Sequence, residues 1–397
     1  MAKEKSQPIK QISYLNDFRC AADKCVDTCC ANWVINTTNA NKEFYDNHNL
    51  EIAKDVETHS DGAYKMKEKP NGECVQLKDG LCSLQQRFGE THLPDVCYTF
   101  PRSYKQIENH VYMTSNLACP ESLRVALYNN KEDDFSTWSD VTQSRSKDDL
   151  YDSRTGAFAT FRENKVIDLA NVIAKMFDNE DFTADESLAR LLFLSHQMDG
   201  KARFDWFNVK KEIDLITKDS LYAISEENIE NVDMRGELFN ILDAMFNLVN
   251  RDRPRYNVVM DMMRQYLGDN NSNEEDLINK FEEIYVAWQE NGKEFDQILK
   301  NLIKAQLSYI LFPVNNYFTN QYHSIIVIVL EYFVVKLALM SESYKKGGKL
   351  SEQEVIDVIQ PTTKRFFVRG RQELYDFCRE KGWDDLNKVI SIILNFS

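Results

Sequence analysis

Glycine and proline are scarce, at 13 and 8 of 397 residues, which excludes a collagen-like or low-complexity chain. The glycines never fall into Gly-x-Gly-x-x-Gly or Walker A spacing, so neither a dinucleotide-type loop nor a P-loop is present. Histidine is rarer still. His48, His59, His92, His110, His196 and His323 are scattered, without the His-x3-His or His-Glu-x-x-His spacing of a zinc hydrolase. No Gly-x-Ser-x-Gly elbow occurs. Positive charge is in deficit, with 48 Lys and Arg against 63 Asp and Glu and a net charge of -15. That sign argues against a broad footprint for phosphate backbones, so nucleic acid is not an expected partner.

Long apolar runs are missing as well. The most apolar stretch, Ile325 to Met340, is interrupted by Glu331 and Lys336 and falls short of the roughly 20 residues that span a bilayer. It reads as a buried helix with two snorkelling charges, and no membrane contact is expected. The opening Met-Ala-Lys-Glu-Lys-Ser-Gln-Pro-Ile-Lys has no apolar h-region, so secretion is not indicated and a cytoplasmic protein is expected. With 43% apolar and 28% charged residues the chain is that of a soluble globular protein. Its length suggests two or three domains.

After position 119 a single cysteine remains, Cys378. The other eight are Cys20, Cys25, Cys29, Cys30, Cys74, Cys82, Cys97 and Cys119. In a reducing compartment such density points to metal rather than to disulfides. No Cys-x2-Cys knuckle of a zinc ribbon occurs; the order is Cys20-x4-Cys25-x3-Cys29-Cys30, then Cys74-x7-Cys82-x14-Cys97-x21-Cys119. If Val26 to Thr28 continue a helical turn, Cys25 and Cys29 share one face and Cys30 points about 100° away. The neighbours Cys29 and Cys30 then require either a bend or two destinations. Eight thiolates can fill two four-ligand sites, or one cluster with four left over. Soft sulfur suits zinc and iron-sulfur clusters alike. The Cys-x3-Cys-x2-Cys order of radical enzymes stops halfway, because position 32 is Asn32.

Phe18-Arg19-Cys20, Asp27-Thr28-Cys29-Cys30-Ala31-Asn32-Trp33, Gly80-Leu81-Cys82-Ser83-Leu84, Cys97-Tyr98-Thr99-Phe100-Pro101-Arg102 and Cys119-Pro120-Glu121 follow one another along the chain. Together they resemble the flagellin lysine-N-methylase family, with its cysteine-rich region described for zinc- or iron-chelating proteins. The motifs cover residues 12 to 127, about a third of the chain. The rest is similar to the family mainly in length and helical character. The resemblance implies S-adenosylmethionine-dependent methylation of lysine side chains on flagellin. It also implies an iron-sulfur cluster, 4Fe-4S, with zinc as the alternative. Position by position, it maps the family's metal ligands onto the eight cysteines named above.

The expected fold is mainly α: an irregular cysteine-rich metal-binding domain over 1–127, a polar connection over 128–150, and an all-helical bundle over 151–397. The first 125 residues hold 15 basic and 17 acidic side chains, so nearly all of the negative excess falls on the helical body. There Val166, Leu169, Ile173, Met176 and Phe177 form an apolar stripe, and Thr183-x2-Glu186 is a capping box for a helix ending near Gly200. Pro254 opens a helix whose stripe is Val258, Met262 and Tyr266, with Gly268 as its stop. Phe281, Ile284, Tyr285 and Trp288 repeat the core-facing period. A helix from Phe295 to Ile310 breaks before Pro313, and Ser351-x2-Glu354 caps another running toward Ile359.

Glu373-Leu374-Tyr375-Asp376-Phe377 has letters of a SET-domain strand, but no spacer and a helical setting, and Cys378 beside it reads as a buried thiol. The basic run from Lys364 to Arg371 reads as a solvated helix end. No catalytic or donor-binding residue is legible. The rival reading is a non-enzymatic cytosolic metal-binding or oxygen-sensing adaptor, favoured by the missing donor loop.

Overall fold

The computed structural model describes residues 9–31, 33–59, 62–129, 135, 137–138, 161–200, 204–244, 246, 254–268, 272–313, 320–368 and 371–396. The chain divides into two compact units, Met1–Ser122 with Phe135–Asp152, and Leu123–Asp134 with Ser153–Ser397. Most of the expected polar connection at 128–150 lies outside the described residues. Its described part includes Thr137–Trp138, a short strand of the first unit.

In the first unit four strands lie in the order Arg102–Ile107, His110–Ser115, Ile9–Gln11, Thr137–Trp138. The first two form a hairpin with Ile107 opposite His110, and Ile9 runs parallel beside Val111. From Val111 to Ser115 every side chain is buried, so both faces of this strand are covered, and apolar and polar residues do not alternate along it. The Tyr14 hydroxyl and Ser115 Oγ meet at 3.2 Å and hold the entering chain against the sheet. The remainder of the unit is short strands and short helices around a small core of Ile35, Tyr45, Ile52, Val56, Met66, Leu84 and Leu93. The expectation of an irregular first domain and a mainly α chain holds.

The second unit is helical and built around Gln321–Lys345. Helices Ala184–Gly200, Pro254–Tyr266, Glu274–Asn291, Lys293–Ile310, Glu352–Val368 and Arg371–Glu380 pack on it. From Ser324 to Ser343 every side chain is buried. By length and composition this helix could cross a membrane, yet its apolar window lies wholly inside the protein. The first amides of this helix are matched: Asp199 accepts from those of Gln321 and Tyr322 at 3.0 and 2.7 Å. A carboxylate there also meets the positive end of the helix dipole.

The two charges within its apolar stretch, Glu331 and Lys336, do not snorkel. Lys336 is 2% exposed and Glu331 5%. Lys336 Nζ donates to both oxygens of Asp185 at 2.8 Å and to the Phe396 carbonyl at 2.7 Å, while the Tyr332 hydroxyl donates to Asp185 at 2.8 Å. A stem reaching solvent is unnecessary when the charge finds its counter-ion in the core.

Glu331 forms no ion pair among the described residues, and burial lifts its carboxyl to about 7, with Arg371 opposing the rise. A raised folded value means that the neutral carboxyl favours the fold. That contribution is complete below about 4.3, the unfolded value, and is lost as pH climbs through 7. Glu331→Gln is therefore expected to melt close to wild type near pH 4 and above it at pH 8. Melting scans across that range check it, and a variant that melts lower at every pH contradicts it.

Thr183 and Glu186 form the expected box, with the Glu186 amide donating to Thr183 Oγ1 at 3.2 Å and the Thr183 amide to Glu186 at 2.7 Å. Lys293–Ile310 ends as expected, on left-handed Leu311. Two readings need correction. Val258 is 69% exposed, and the buried face of its helix carries Tyr256, Val259, Met260 and Met263 beside Met262. The period was legible, but the sequence did not reveal which face met the core. The helix opened by Ser351 does not stop at Ile359; it runs to Val368 with Pro361 inside.

A candidate metal centre among the cysteines

All nine cysteines are free thiols. The first pair flanks a 3-10 turn, Ala22–Lys24, where the Cys25 amide donates to the Ala22 carbonyl at 3.1 Å. Val26 to Thr28 do not continue a helix: the backbone bends there. The i,i+4 relation of Cys25 and Cys29 is therefore not formed, and the bend separates their surroundings. Thr28 Oγ1 accepts from the Cys30 amide at 3.1 Å, and Trp33 Nε1 donates to the Cys29 carbonyl.

Three further segments converge on Cys30. The Cys74 amide donates to the Cys30 carbonyl at 2.8 Å, joining the two stretches. Cys82 is delivered by a hairpin in which Leu77 faces Cys82, closed by Asp79 and Gly80 at φ 51° and 77°. Two consecutive left-handed residues are the signature of a two-residue hairpin loop, and Asp-Gly favours it. A Cβ on Gly80 would lie 3.4 Å from the Asp23 backbone. Gly80→Ala is thus expected to cost about 1 kcal/mol or more, read as a lower urea midpoint. Cys97 comes from the short helix Asp95–Thr99, its amide donating to the Pro94 carbonyl at 3.0 Å.

Cys29, Cys30, Cys74, Cys82 and Cys97 line one cavity of about 70 Å³, walled by Ile35, Met66, Leu77, Leu84 and Leu93. Cys30 is pushed up to about 12, first by its hydrogen bond with Cys29, while its bond with Cys82 opposes the rise. The bond with Cys30, then burial, hold the Cys82 thiol far above its usual range. Burial followed by the facing sulfurs of Cys30, Cys74 and Cys82 does the same to Cys97. Burial raises Cys74 too.

The other three form a second group. Cys119 is raised to about 12 by burial, with Cys25 and Cys20 adding to it, and Cys25 is raised by burial and then by Cys20. The eight sulfurs therefore gather as five and three, a division their spacing does not reveal. Sharing a cavity is not ligation geometry, however. Among the described residues no group of three or more His, Cys, Asp or Glu side chains is set out to hold a metal ion.

The donor chemistry fits a soft metal. Each raised thiol is neutral at ordinary pH, so a metal would enter by displacing protons and tying four segments together.

Elsewhere, Glu373 to Phe377 lie in the helix Arg371–Glu380, where the Tyr375 hydroxyl and His323 Nε2 meet at 2.7 Å. Cys378 is fully buried, as expected of an inert thiol.

The fold defines a helical body joined to a small cysteine-rich unit, and the body matches a known domain over residues 170–392: the FliB lysine N-methylase C-terminal domain. That class is a methyltransferase. The match spans more than half of the chain, which belongs to the flagellin lysine N-methylase family. It falls on the part that is similar mainly in length and helical character, while the cysteine motifs lie outside it. No curated protein and no solved structure matches the chain.

Proposed function

We propose that this protein transfers methyl groups from S-adenosylmethionine to lysine side chains of flagellin, in the cytoplasm. The match of the helical body to a lysine N-methylase domain carries the reading. We further propose that Cys30, Cys74, Cys82 and Cys97 hold an iron-sulfur cluster, 4Fe-4S, with zinc as the alternative. All four line the shared cavity, and Cys29, the fifth cysteine on it, is the exposed one. The metal, when bound, supplies cross-links among loops that have little core of their own, since binding free energy becomes folding free energy.

Methyl transfer asks chiefly for positioning: the donor sulfonium must stand in line with the attacking nitrogen. The amine must also be neutral, and free lysine titrates near about 10.4. The chain must therefore desolvate the ammonium or take its proton. The acidic charge of the helical body draws lysine-bearing substrates toward it at long range.

The experiment is to incubate protein purified without oxygen with labelled S-adenosylmethionine and flagellin. Label and a one-methyl mass increment on lysine are expected. An intact metal centre with no transfer would favour the adaptor reading instead.

A further inference from the structure

A cavity of about 540 Å³ opens within the helical unit, between Pro254–Tyr266, the carboxyl end of Gln321–Lys345 and the first two turns of Glu352–Val368. That volume lies within the range of about 300 to 1,000 Å³ usual for small-molecule sites. The cavity belongs to residues 170–392, the stretch that matches the methylase domain, and none of its lining residues is a cysteine. Its rim is open to water, because Val258, Asp261 and Lys346 are exposed.

The lining is divided in chemistry. Val259, Met262 and Val358 are buried and supply an apolar wall, with Val258 at the mouth. Such a wall takes the face of a planar ring, and the Met262 thioether adds the sulfur contact that aromatic rings favour. Gln265 lines the cavity too, and a carboxamide matches the edge of adenine with one donor and one acceptor. Four carboxylates, Asp261, Glu342, Glu354 and Asp357, stand against two ammonium groups, Lys345 and Lys346, an excess of two negative charges. Glu342 and Glu354 pair with those lysines at 2.9 and 2.6 Å. Asp261 and Asp357 are held from outside the lining by Arg264 and Arg255, at 2.9 and 2.7 Å, each through Oδ1. The carbonyl end of the core helix, the negative end of its dipole, closes this side and favours a cation. The ligand that answers all of this is a net cation with a planar ring, hydroxyls to donate and one carboxylate.

We propose that this cavity of the helical unit seats S-adenosylmethionine, the donor in the lysine-methylating reading on which this inference rests. The purine lies against Val259, Met262 and Val358, with Gln265 on its edge. Ribose hydroxyls donate to Asp261 or Asp357, as acidic residues accept from ribose in dinucleotide sites. The carboxylate of the methionine end pairs with Lys345 or Lys346, both of which are exposed and able to turn from their present partners. Its ammonium and the sulfonium meet the negative excess, which is strongest for a ligand drawn out of water. Donor and thiolate metal then belong to different units of the chain, the first lined by helices and the second by the cysteine loops.

The test is equilibrium dialysis of labelled S-adenosylmethionine against the full chain, made without oxygen and carrying its metal. Wild type is expected to bind. Gln265→Ala should weaken binding about tenfold, the loss of one two-pronged contact to adenine, and Val258→Trp, which sets an indole at the mouth, by about as much or more. In steady-state assays with flagellin, both variants should raise the KM for the donor and leave that for flagellin unchanged. Circular dichroism confirms that each variant is folded, and Gln265→Ala carries the test if Val258→Trp is not. Wild type that binds no donor, or folded variants that bind it as wild type does, would overturn the proposal. So would a rise in the KM for flagellin alone, which would make the cavity a seat for the substrate chain. Donor binding lost together with metal in Cys82→Ser, yet untouched in Val258→Trp, would overturn it as well and place the donor at the metal. Binding that depends on Gln265, in a chain that methylates no lysine, would leave the seat standing and remove the lysine-methylating reading.

Discussion

Cys82→Ser is expected to bring iron and acid-labile sulfide down to background in protein made without oxygen, and to remove its visible absorption. Serine keeps the size of the side chain but replaces a soft sulfur with a hard oxygen. Cys82 has the most committed surroundings of the set: its hairpin brings it to Cys30, and Cys97 faces both. Because the metal would join four chain segments, soluble yield is expected to fall together with metal content. Cys378→Ser, buried in the other unit, is the control and should keep its full complement. Metal retained in Cys82→Ser and lost in Cys378→Ser would refute the assignment.

Asp185→Ala is expected to destabilise the helical unit by about 3 to 5 kcal/mol, the usual cost of stripping one partner from a buried ion pair. The deletion leaves Lys336 charged in a core where it is 2% exposed. It also takes the acceptor from the Tyr332 hydroxyl. Thermal unfolding would show a large fall in Tm. Removing both charges, as Asp185→Leu with Lys336→Met, should recover most of the loss, because the pair repays its own desolvation poorly. A double variant as unstable as the single one would mean that the bond from Lys336 to the Phe396 carbonyl, rather than the ion pair, holds the unit together.

The helices were legible where apolar period and cap chemistry agree. Thr183 with Glu186, Ser351 with Glu354, and the stripe from Val166 to Phe177 lie as read. Faces were harder to read: Val258 fits the helical period, yet the core takes Val259 and Met260 from the adjoining positions. Periodicity identifies a helix without saying which neighbours will surround it. Charges in the core helix were misplaced for the same reason, since the counter-ion of Lys336 lies 151 positions away, on another helix. In the cysteine unit the residues were visible and their grouping was not. Cys29 and Cys30 enter the same cavity because the chain bends between Val26 and Thr28, a local choice that no spacing rule encodes.

The core helix also shapes how the chain is made. Gln321–Lys345 leaves the ribosome before the segments at 352–368, 371–380 and 386–395 that pack near it, and until they arrive it is a greasy rod with the length of a membrane segment. Nascent chains halted near position 350 should therefore recruit holdase chaperones or stray toward the translocation machinery, and denatured protein should refold well only when dilution outpaces self-association of that exposed stretch.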